Sequence, residues 1–256
     1  MNRKEGIVVG VFGHAGSGKT RLVTRALMEL PADEGALVFD PTDNVSQGLA
    51  NLPHERVEVV RAGQIGVRAD LALASVYGAP TAVRPRPPKI VVLSGPGMEY
   101  IFLESARRMR AATVFVDEAH LLFSQAEAQS VEQREIISLA RNRNLEVILA
   151  AQRPQGVSVD VRSRCDYVVS FRQNVDHNIE ALSACANRKL WEPTKSLPRF
   201  QALVLVPWTK NADAPLLEYD SLNAPIVWRM EPDELAEFTD GLERMKHGKP
   251  PWREEG

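Results

Sequence analysis

Short runs of apolar and β-branched residues alternate along the chain with longer amphipathic stretches. The runs predict strands at 7–12, 36–39, 57–60, 90–94, 113–116, 145–151, 167–171 and 202–206. The intervening stretches predict helices at 19–30, 65–77, 98–110 and 128–141. Runs that are apolar at nearly every position are typical of parallel strands buried on both faces. The alternation therefore predicts an α/β protein with a mostly parallel central sheet flanked by helices.

Two segments depart from this alternation. Residues 81–89, TAVRPRPPK, combine charge with proline and are predicted to form an exposed connection, because proline continues neither a helix nor a strand ladder. Residues 231–248 predict an acidic helix, with Pro232 in its first turn and Gly248 as its stop. We expect one main domain over 1–210 and a peripheral C-terminal segment over 211–256.

Composition narrows the class of protein. The chain has 256 residues, of which 44% are hydrophobic and 25% charged, as in ordinary globular proteins. Its apolar runs are far shorter than the roughly 20 residues that cross a bilayer, and Cys165 and Cys185 are too few for a disulfide framework or a zinc site. We expect a soluble, cytoplasmic protein without a targeting segment. The net charge of −2 neither supports nor excludes a polyanionic partner, although residues 231–256 carry eight acids against four bases.

The sequence GHAGSGKT, at 13–20, lies between the first predicted strand and the first predicted helix. Its glycines let the backbone bend tightly around phosphate oxygens, and the following helix presents its N-terminal N–H groups to them. A lysine and a hydroxyl at the end of this pattern reach the β- and γ-phosphates and a magnesium ion. We therefore predict a nucleotide-binding loop formed by Gly13, His14, Ala15, Gly16, Ser17, Gly18, Lys19 and Thr20.

The sequence TVFVDEAH, at 113–120, places an acidic pair at the end of a predicted strand. The carboxyl ends of strands in open α/β sheets are where ligands bind. We predict that Asp117, together with Thr20, holds Mg²⁺ and that Glu118 orients and polarises an attacking water. The alternative is a solvated acidic pair, and His120 is interpreted as structural.

The sequence LEVILAAQRP, at 145–154, ends the next strand with Gln152. An uncharged amide at this position hydrogen-bonds the γ-phosphate or the attacking water without repelling either. We predict that Gln152 reports whether the terminal phosphate is present.

Taken together, these motifs resemble those of the FtsK/HerA superfamily of DNA-pumping ATPases, with their RecA/FtsK-like fold. The phrase ARNRNLEVILAAQRP (140–154) is similar to the FtsK segment in which an arginine precedes the strand, and VFDPTD (38–43) is similar to the strand-end Asp-Pro of HerA-type ATPases. In its small size the chain further resembles the genome-packaging ATPases of icosahedral viruses that have an internal membrane. The resemblance implies that 1–210 is an ATPase motor domain that uses ATP and Mg²⁺.

The resemblance also implies a homo-oligomeric ring, commonly a hexamer, that translocates double-stranded DNA. Arg141 matches the position of an arginine that acts on the neighbouring subunit's nucleotide, with Arg143 as the fallback; the alternative is a basic helix terminus favoured by the helix dipole. Contact with the DNA backbone is predicted for either of two exposed clusters, Arg162 with Arg164 or Arg84, Arg86 and Lys89. The acidic C-terminal segment is a candidate for docking at a capsid vertex or a membrane protein, and a viral protein would act in the host cytoplasm or at the virion vertex.

Other functions remain open at the level of sequence. A chromosomal or plasmid DNA pump of the same superfamily would share every motif. A P-loop kinase or a non-motor nucleotide switch would share the phosphate loop alone. The assembly ATPase of filamentous phages also resembles the superfamily but usually carries a membrane anchor, and the sequence shows no apolar span of that length.

Overall fold

The computed structural model describes residues 6–61, 76, 89–185, 188–205, 217–230 and 233–239. Within these residues, nine strands form one sheet in the order β3-β4-β2-β5-β6-β1-β7-β8-β9. The strands are β1 (Ile7–Phe12), β2 (Ala36–Asp40), β3 (Val57–Arg61), β4 (Ile90–Ser94), β5 (Thr113–Val116), β6 (Glu146–Ala151), β7 (Tyr167–Phe171), β8 (Gln201–Leu205) and β9 (Leu217–Asp220).

The strands β1 to β7 run parallel, whereas β8 is antiparallel to β7 and β9 is antiparallel to β8. An antiparallel edge on an otherwise parallel sheet is common in large α/β proteins. Because β1, β2, β5 and β6 are parallel neighbours in the middle of the sheet, their carboxyl ends meet at one edge. The predicted fold class is confirmed.

Helices cover both faces of the sheet. They are α1 (Lys19–Met28), α2 (Asn44–Gly48), α3 (Glu99–Ala106), α4 (Val131–Ser138), α5 (Val159–Ser163), α6 (Asp176–Leu182), α7 (Arg188–Trp191) and α8 (233–239). Two separate clusters of buried apolar side chains form the core, one on each face. Helix α1 packs on one face through Leu22, Val23, Ala26 and Leu27, all fully buried. The larger of these side chains each contribute roughly 1.5–3 kcal/mol by leaving water.

The strand predictions agree with the structure to within about one residue at each end. The helices are shorter than predicted: the first ends at Met28, and the stretches 98–110 and 128–141 contain helices only over Glu99–Ala106 and Val131–Ser138. The start of α4 is set by a capping box between Ser130 and Gln133. Of the helix predicted at 65–77 only Val76 is described, and it is helical. Residues 81–88 of the predicted connection lie outside the described residues.

The described residues of the C-terminal segment, 217–230 and 233–239, are packed into the main domain and are not peripheral as predicted; residues 240–256 lie outside the described residues. Strand β9 extends the sheet, so the boundary placed at residue 210 falls between two strands of one sheet. Val227 and Trp228 are buried in the same cluster as α1, and so is Leu235 of α8. Burial of these apolar side chains against the main domain removes them from water, which explains why the segment packs there. No helix in the described ranges is long and apolar enough to cross a membrane.

Candidate functional site

The phosphate-loop sequence lies at the carboxyl end of β1, where it turns into α1. Two of its glycines adopt backbone angles that other residues rarely accept: Gly16 has φ 74° and Gly18 has φ 124°. Gly18 is also crowded, because a Cβ there would lie 2.8 Å from the Phe200 ring. The local backbone is therefore the tight, glycine-dependent loop that the sequence predicts.

The side chain of Lys19 folds back into this loop. Its residue is only 8% exposed, and Nζ donates hydrogen bonds to the carbonyls of Gly13 (2.6 Å) and His14 (3.2 Å). Burial lowers the pKa of Lys19, while the nearby carboxylates of Glu118 and Asp117 raise it. The amine of Lys19 thus lies between the backbone of the phosphate loop and the carboxylates of Asp117 and Glu118.

Asp117 follows β5 and is 4% exposed. Its amide donates to the carbonyl of Phe39 (2.9 Å), which fixes it at the end of β2, and Thr42 Oγ1 donates to its Oδ2 (3.3 Å). Burial raises the pKa of Asp117 to about 6, with further contributions from Glu118 and Asp40 and opposition from Lys19. Burial and neighbouring negative charge both disfavour the ionised form of Asp117, and a bound cation would offset both effects.

Asp40 is a member of this site that the motif analysis did not assign. It ends β2 and is fully buried, and its Oδ2 accepts a hydrogen bond from the amide of Ser46 (2.8 Å). Its Oδ1 has no hydrogen-bond partner among the described residues. The sequence signal was an aspartate directly after an apolar strand, the same signal that identified Asp117.

Glu118 and Gln152 meet across the ends of β5 and β6. Gln152 Nε2 donates to Glu118 Oε1 at 2.7 Å. The other oxygen, Oε2, is buried, lies 3.4 Å from His120 Nδ1 and accepts no hydrogen bond from the described residues. Glu118 also has a left-handed backbone, with φ 45° and ψ 52°, a conformation that is uncommon outside glycine and often found at functional sites.

The two predicted trans-acting arginines lie at the opposite edge of the sheet. Both precede β6, a six-residue strand that separates its two ends by roughly 20 Å at about 3.3 Å per residue. Arg141 is 66% exposed in its side chain and pairs with the buried carboxylate of Asp166. Arg143 is 15% exposed and donates to the carbonyl of Arg107, with Glu135 Oε2 at 3.5 Å. Neither arginine reaches this chain's own phosphate loop, so both remain predictions for a neighbouring subunit.

The structure separates the residues predicted to contact DNA. Arg162 is 5% exposed and donates to the carbonyl of Ala181 (2.7 Å), and burial lowers its pKa. The prediction that it faces a channel is therefore wrong: α5 turns it inward, whereas the sequence indicated only a basic loop. Arg164 is exposed, and Lys89 contacts Glu58 at 3.5 Å. Arg84 and Arg86 lie outside the described residues.

Arg199 and Phe200 also contact the phosphate loop, and sequence reasoning missed them. Arg199 Nε donates to the carbonyl of Gly16 (3.1 Å), and the amide of Phe200 donates to the carbonyl of Ser17 (3.0 Å). Arg199 lies 183 residues from Gly16 along the chain. No local sequence signal marks a contact over that separation.

This arrangement fits a magnesium–nucleotide complex. No three-residue His, Cys, Asp or Glu cluster suited to a metal occurs among the described residues. Magnesium beside phosphates does not require one, since it keeps waters and uses one or two protein oxygens together with the phosphates. Thr20 and Asp117 supply such oxygens beside Lys19, and the unpaired Oδ1 of Asp40 adds negative charge behind them.

Comparisons with known proteins agree with this architecture. The family model for zonular occludens toxin (Zot) matches residues 84–181. The genome-packaging NTPase B204 of Sulfolobus turreted icosahedral virus 2, solved with ATP-gammaS, is 15% identical and superposes with a TM-score of 0.61, over 86% of this chain and 98% of that one. VirB4 of Thermoanaerobacter pseudethanolicus is 12% identical with a TM-score of 0.54, over 85% of this chain and 90% of that one. No curated protein sequence matches the chain.

Sequence identities this low carry information about the fold alone. That fold is shared with B204 over nearly the whole of the B204 chain, and the phosphate loop of this chain lies at the carboxyl end of its central strand. The chain thus has a P-loop NTPase fold, and the resemblance predicted from its motifs agrees with the fold that it shares with the genome-packaging NTPase B204.

Proposed function

We propose that this chain is an ATPase that couples ATP hydrolysis to the movement of double-stranded DNA, and that this DNA is a viral genome being packaged into a capsid. The observation that carries the proposal is the Glu118–Gln152 hydrogen bond of 2.7 Å, formed at the same sheet edge as Lys19 and Asp117. Those four side chains come from three separate elements. They converge where a terminal phosphate on the loop would lie.

The residues divide the chemistry between them. The loop amides and Lys19 bind the phosphates, and Thr20 and Asp117 would hold Mg²⁺, which would neutralise negative charge on the triphosphate. Glu118 orients a water and accepts its proton as the water oxygen bonds to the γ-phosphorus. The bond from that phosphorus to the β–γ bridging oxygen breaks, and ADP leaves with the electron pair.

Gln152 gives this site a way to respond to nucleotide. Its amide holds Glu118 Oε1, so the carboxylate must give up or share that hydrogen bond to engage a water. The same amide can turn toward a γ-phosphate, for which an N–H donor is suited. The exchange of partners links the presence of the terminal phosphate to the position of the carboxylate.

The position of Arg141 supports the proposal that the protein forms a ring. Its exposed guanidinium lies at the edge of the sheet opposite to its own nucleotide site. A head-to-tail interface between identical subunits brings opposite surfaces together, and successive interfaces close into a ring. Such contact places Arg141 beside the neighbour's phosphates, where it stabilises charge in the transition state.

The proposal that DNA is the cargo is supported by the fold shared with B204, whose structure is described as that of a genome-packaging NTPase. Arg164 is the exposed arginine that remains from the predicted DNA contacts after β6. Contacts with the phosphate backbone need no base readout, as suits a motor that moves along any sequence.

The direct test is ATP hydrolysis with and without double-stranded DNA, for the parent protein and for Glu118→Gln. We expect DNA to stimulate the parent and the substitution to lower kcat by about 10²- to 10⁴-fold, the usual contribution of a positioned base. Glu127→Gln, an exposed glutamate in the loop after β5, is the matched control and should leave the rate unchanged. DNA-independent phosphate transfer to a small molecule would identify a kinase, and hydrolysis without any response to DNA would favour a nucleotide switch.

A further inference from the structure

A small cavity of about 220 Å³ opens beside the phosphate loop. Its lining combines loop residues and the start of α1 with two residues that precede β8: Gly16, Gly18, Lys19, Thr20, Arg21, Arg199 and Phe200. The residues proposed for catalysis on the other side of Lys19 do not line it. The cavity is therefore a distinct part of the nucleotide site, continuous with the loop.

The aromatic ring of Phe200, with two guanidinium groups near it, forms one wall of this cavity. The Cζ atom of Arg199 lies 4.6 Å from the ring centroid of Phe200, and that of Arg21 lies 5.5 Å from it. Both distances are within the range of cation–π attraction. A planar guanidinium stacked with an aromatic ring is a surface on which nucleic-acid bases stack.

The ring of Phe200 is fixed in place by its backbone. Phe200 has φ 68°, a conformation rare for an aromatic residue. Its amide donates to the carbonyl of Ser17, and its own carbonyl accepts hydrogen bonds from the amide (3.0 Å) and hydroxyl (2.7 Å) of Ser221. The ring also fills the space that a side chain at Gly18 would take. A flat group held this rigidly costs little entropy to use as a binding platform.

The position of the cavity matches one end of a nucleoside triphosphate. Lys19 and Asp117 define where the terminal phosphate lies, and the amides at the start of α1 follow for the inner phosphates. The triphosphate chain that leaves Lys19 past Thr20 arrives at Arg21. The ribose and base, which are attached at that end, then meet the Arg199–Phe200 wall.

We propose that Arg21, Arg199 and Phe200 form the subsite for the nucleoside: the purine base stacks on the Arg199–Phe200 pair, and Arg21 contacts the α-phosphate. This inference rests on the proposed ATPase function and adds to it the residues that recognise the base end of the substrate. Because stacking accepts any flat purine, the subsite binds GTP as well as ATP.

The test compares ligands that share phosphates and differ in the base. Binding of magnesium ATP, magnesium GTP and inorganic tripolyphosphate is measured by titration calorimetry for the parent, Phe200→Leu and Phe200→Tyr. Loss of one stacking partner should weaken ATP and GTP binding by about tenfold in Phe200→Leu, with tripolyphosphate changed less than about twofold. Phe200→Tyr keeps the ring and should bind as the parent does.

Two further variants separate stacking from charge and from general surface effects. Arg199→Lys retains the positive charge but loses the planar group, so it should show the same selective loss for ATP and GTP in weaker form. Tyr100→Leu removes an aromatic side chain that is 77% exposed and does not line the cavity, and should change nothing. Circular dichroism checks that each variant is folded.

The outcomes are separable. Equal weakening of ATP and tripolyphosphate in Phe200→Leu would show that Phe200 only supports the phosphate loop, which overturns the subsite and leaves the ATPase proposal standing. Unchanged binding of all three ligands would also overturn it. A parent protein that binds neither ATP nor tripolyphosphate would overturn the nucleotide site itself.

Discussion

Buried carboxylates at the two edges of the parallel sheet differ in how fully they are hydrogen-bonded. At the amino edge, fully buried Glu146 accepts hydrogen bonds on both oxygens, from Thr113 (2.6 Å), Trp228 (2.9 Å) and Arg229 (2.8 and 2.9 Å). At the carboxyl edge, Asp40 is equally buried, yet its Oδ1 has no partner among the described residues. The pKa of the nearby Asp117 is raised to about 6 by burial and by its acidic neighbours.

This contrast separates the parts of the sheet that maintain the fold from those that bind ligand. Buried polar groups are almost always satisfied when their role is structural, because an unsatisfied group costs folding free energy. Unpaired oxygens, perturbed pKa values and strained backbone collect where a ligand completes the arrangement. Glu146 is satisfied within the chain, whereas the unpaired carboxylate oxygens at the carboxyl edge call for a cation or for water molecules that come with a ligand.

Arg141 is the residue that joins the two edges in the proposed ring, so its removal should have the largest effect. An arginine acting on a neighbour's phosphates contributes about 10³-fold or more to kcat. We expect Arg141→Ala to lower kcat of the assembled protein by that factor. Its pair with Asp166 joins an exposed guanidinium to a buried carboxylate, so its loss should lower the free energy of unfolding by about 1–3 kcal/mol.

A mixing experiment tests whether Arg141 acts between subunits. Glu118→Gln and Arg141→Ala proteins, each inactive alone, should regain part of the parent's hydrolysis rate when mixed, because some interfaces then combine an intact Glu118 with an intact Arg141. Arg143→Ala mixed with Glu118→Gln is the matched control for the fallback residue. If subunit exchange is demonstrated and the Arg141 mixture does not recover activity, the proposed role of Arg141 at the neighbouring subunit's nucleotide is wrong.

Glu146 should dominate the stability of the amino edge. Glu146→Gln leaves the largely buried Arg229 without its counter-ion, and breaking a buried pair on one side costs about 3 kcal/mol or more. We expect a loss of that size in the free energy of unfolding from urea titration, with nucleotide affinity of the folded protein unchanged. Glu180→Gln, in an exposed pair with Arg188, should lose less than about 1 kcal/mol; an equal loss in both variants would contradict the assignment.

Asp117 should make the stability of the magnesium-free, nucleotide-free protein depend on pH. Its pKa is about 6 in the folded protein against an ordinary value of 3.8, so the folded state binds the proton more tightly than the unfolded state. The resulting stabilisation is complete below pH 3.8 and is lost as the pH rises through 6, by at most about 3 kcal/mol. Asp117→Asn should remove this dependence in urea titrations at several pH values, and a parent and variant with parallel profiles would refute it.

The phosphate loop and the strand-end motifs of Asp117, Glu118 and Gln152 were predictable because each depends on contiguous residues. Asp117 and Gln152 both follow apolar strands, and in a parallel sheet the ends of such strands lie at one edge. The Glu118–Gln152 contact therefore follows from two local patterns and one topological rule. The strand positions were predictable for the same reason, since β-branched runs are local signals.

The remaining features depend on contacts between distant parts of the chain. Arg162 reads as basic surface, yet α5 directs it toward the carbonyl of Ala181, and only the fold shows this. The binding of Arg229 by Glu146 spans 83 residues and brings the C-terminal segment into the main sheet. Arg199 and Phe200 also contact the phosphate loop from a distant part of the chain. They directly precede β8, which is antiparallel to β7, and the sequence did not distinguish this strand from the parallel ones.

The central claim is that a nucleoside triphosphate binds with its phosphates on the loop that follows Gly13. The most direct measurement is calorimetric binding of magnesium ATPγS to the parent, Glu118→Gln and Lys19→Ala proteins. We expect the first two to bind equally and Lys19→Ala to bind about 100-fold more weakly, since it loses a charged contact to phosphate. Equal affinity of folded Lys19→Ala and the parent would contradict the account.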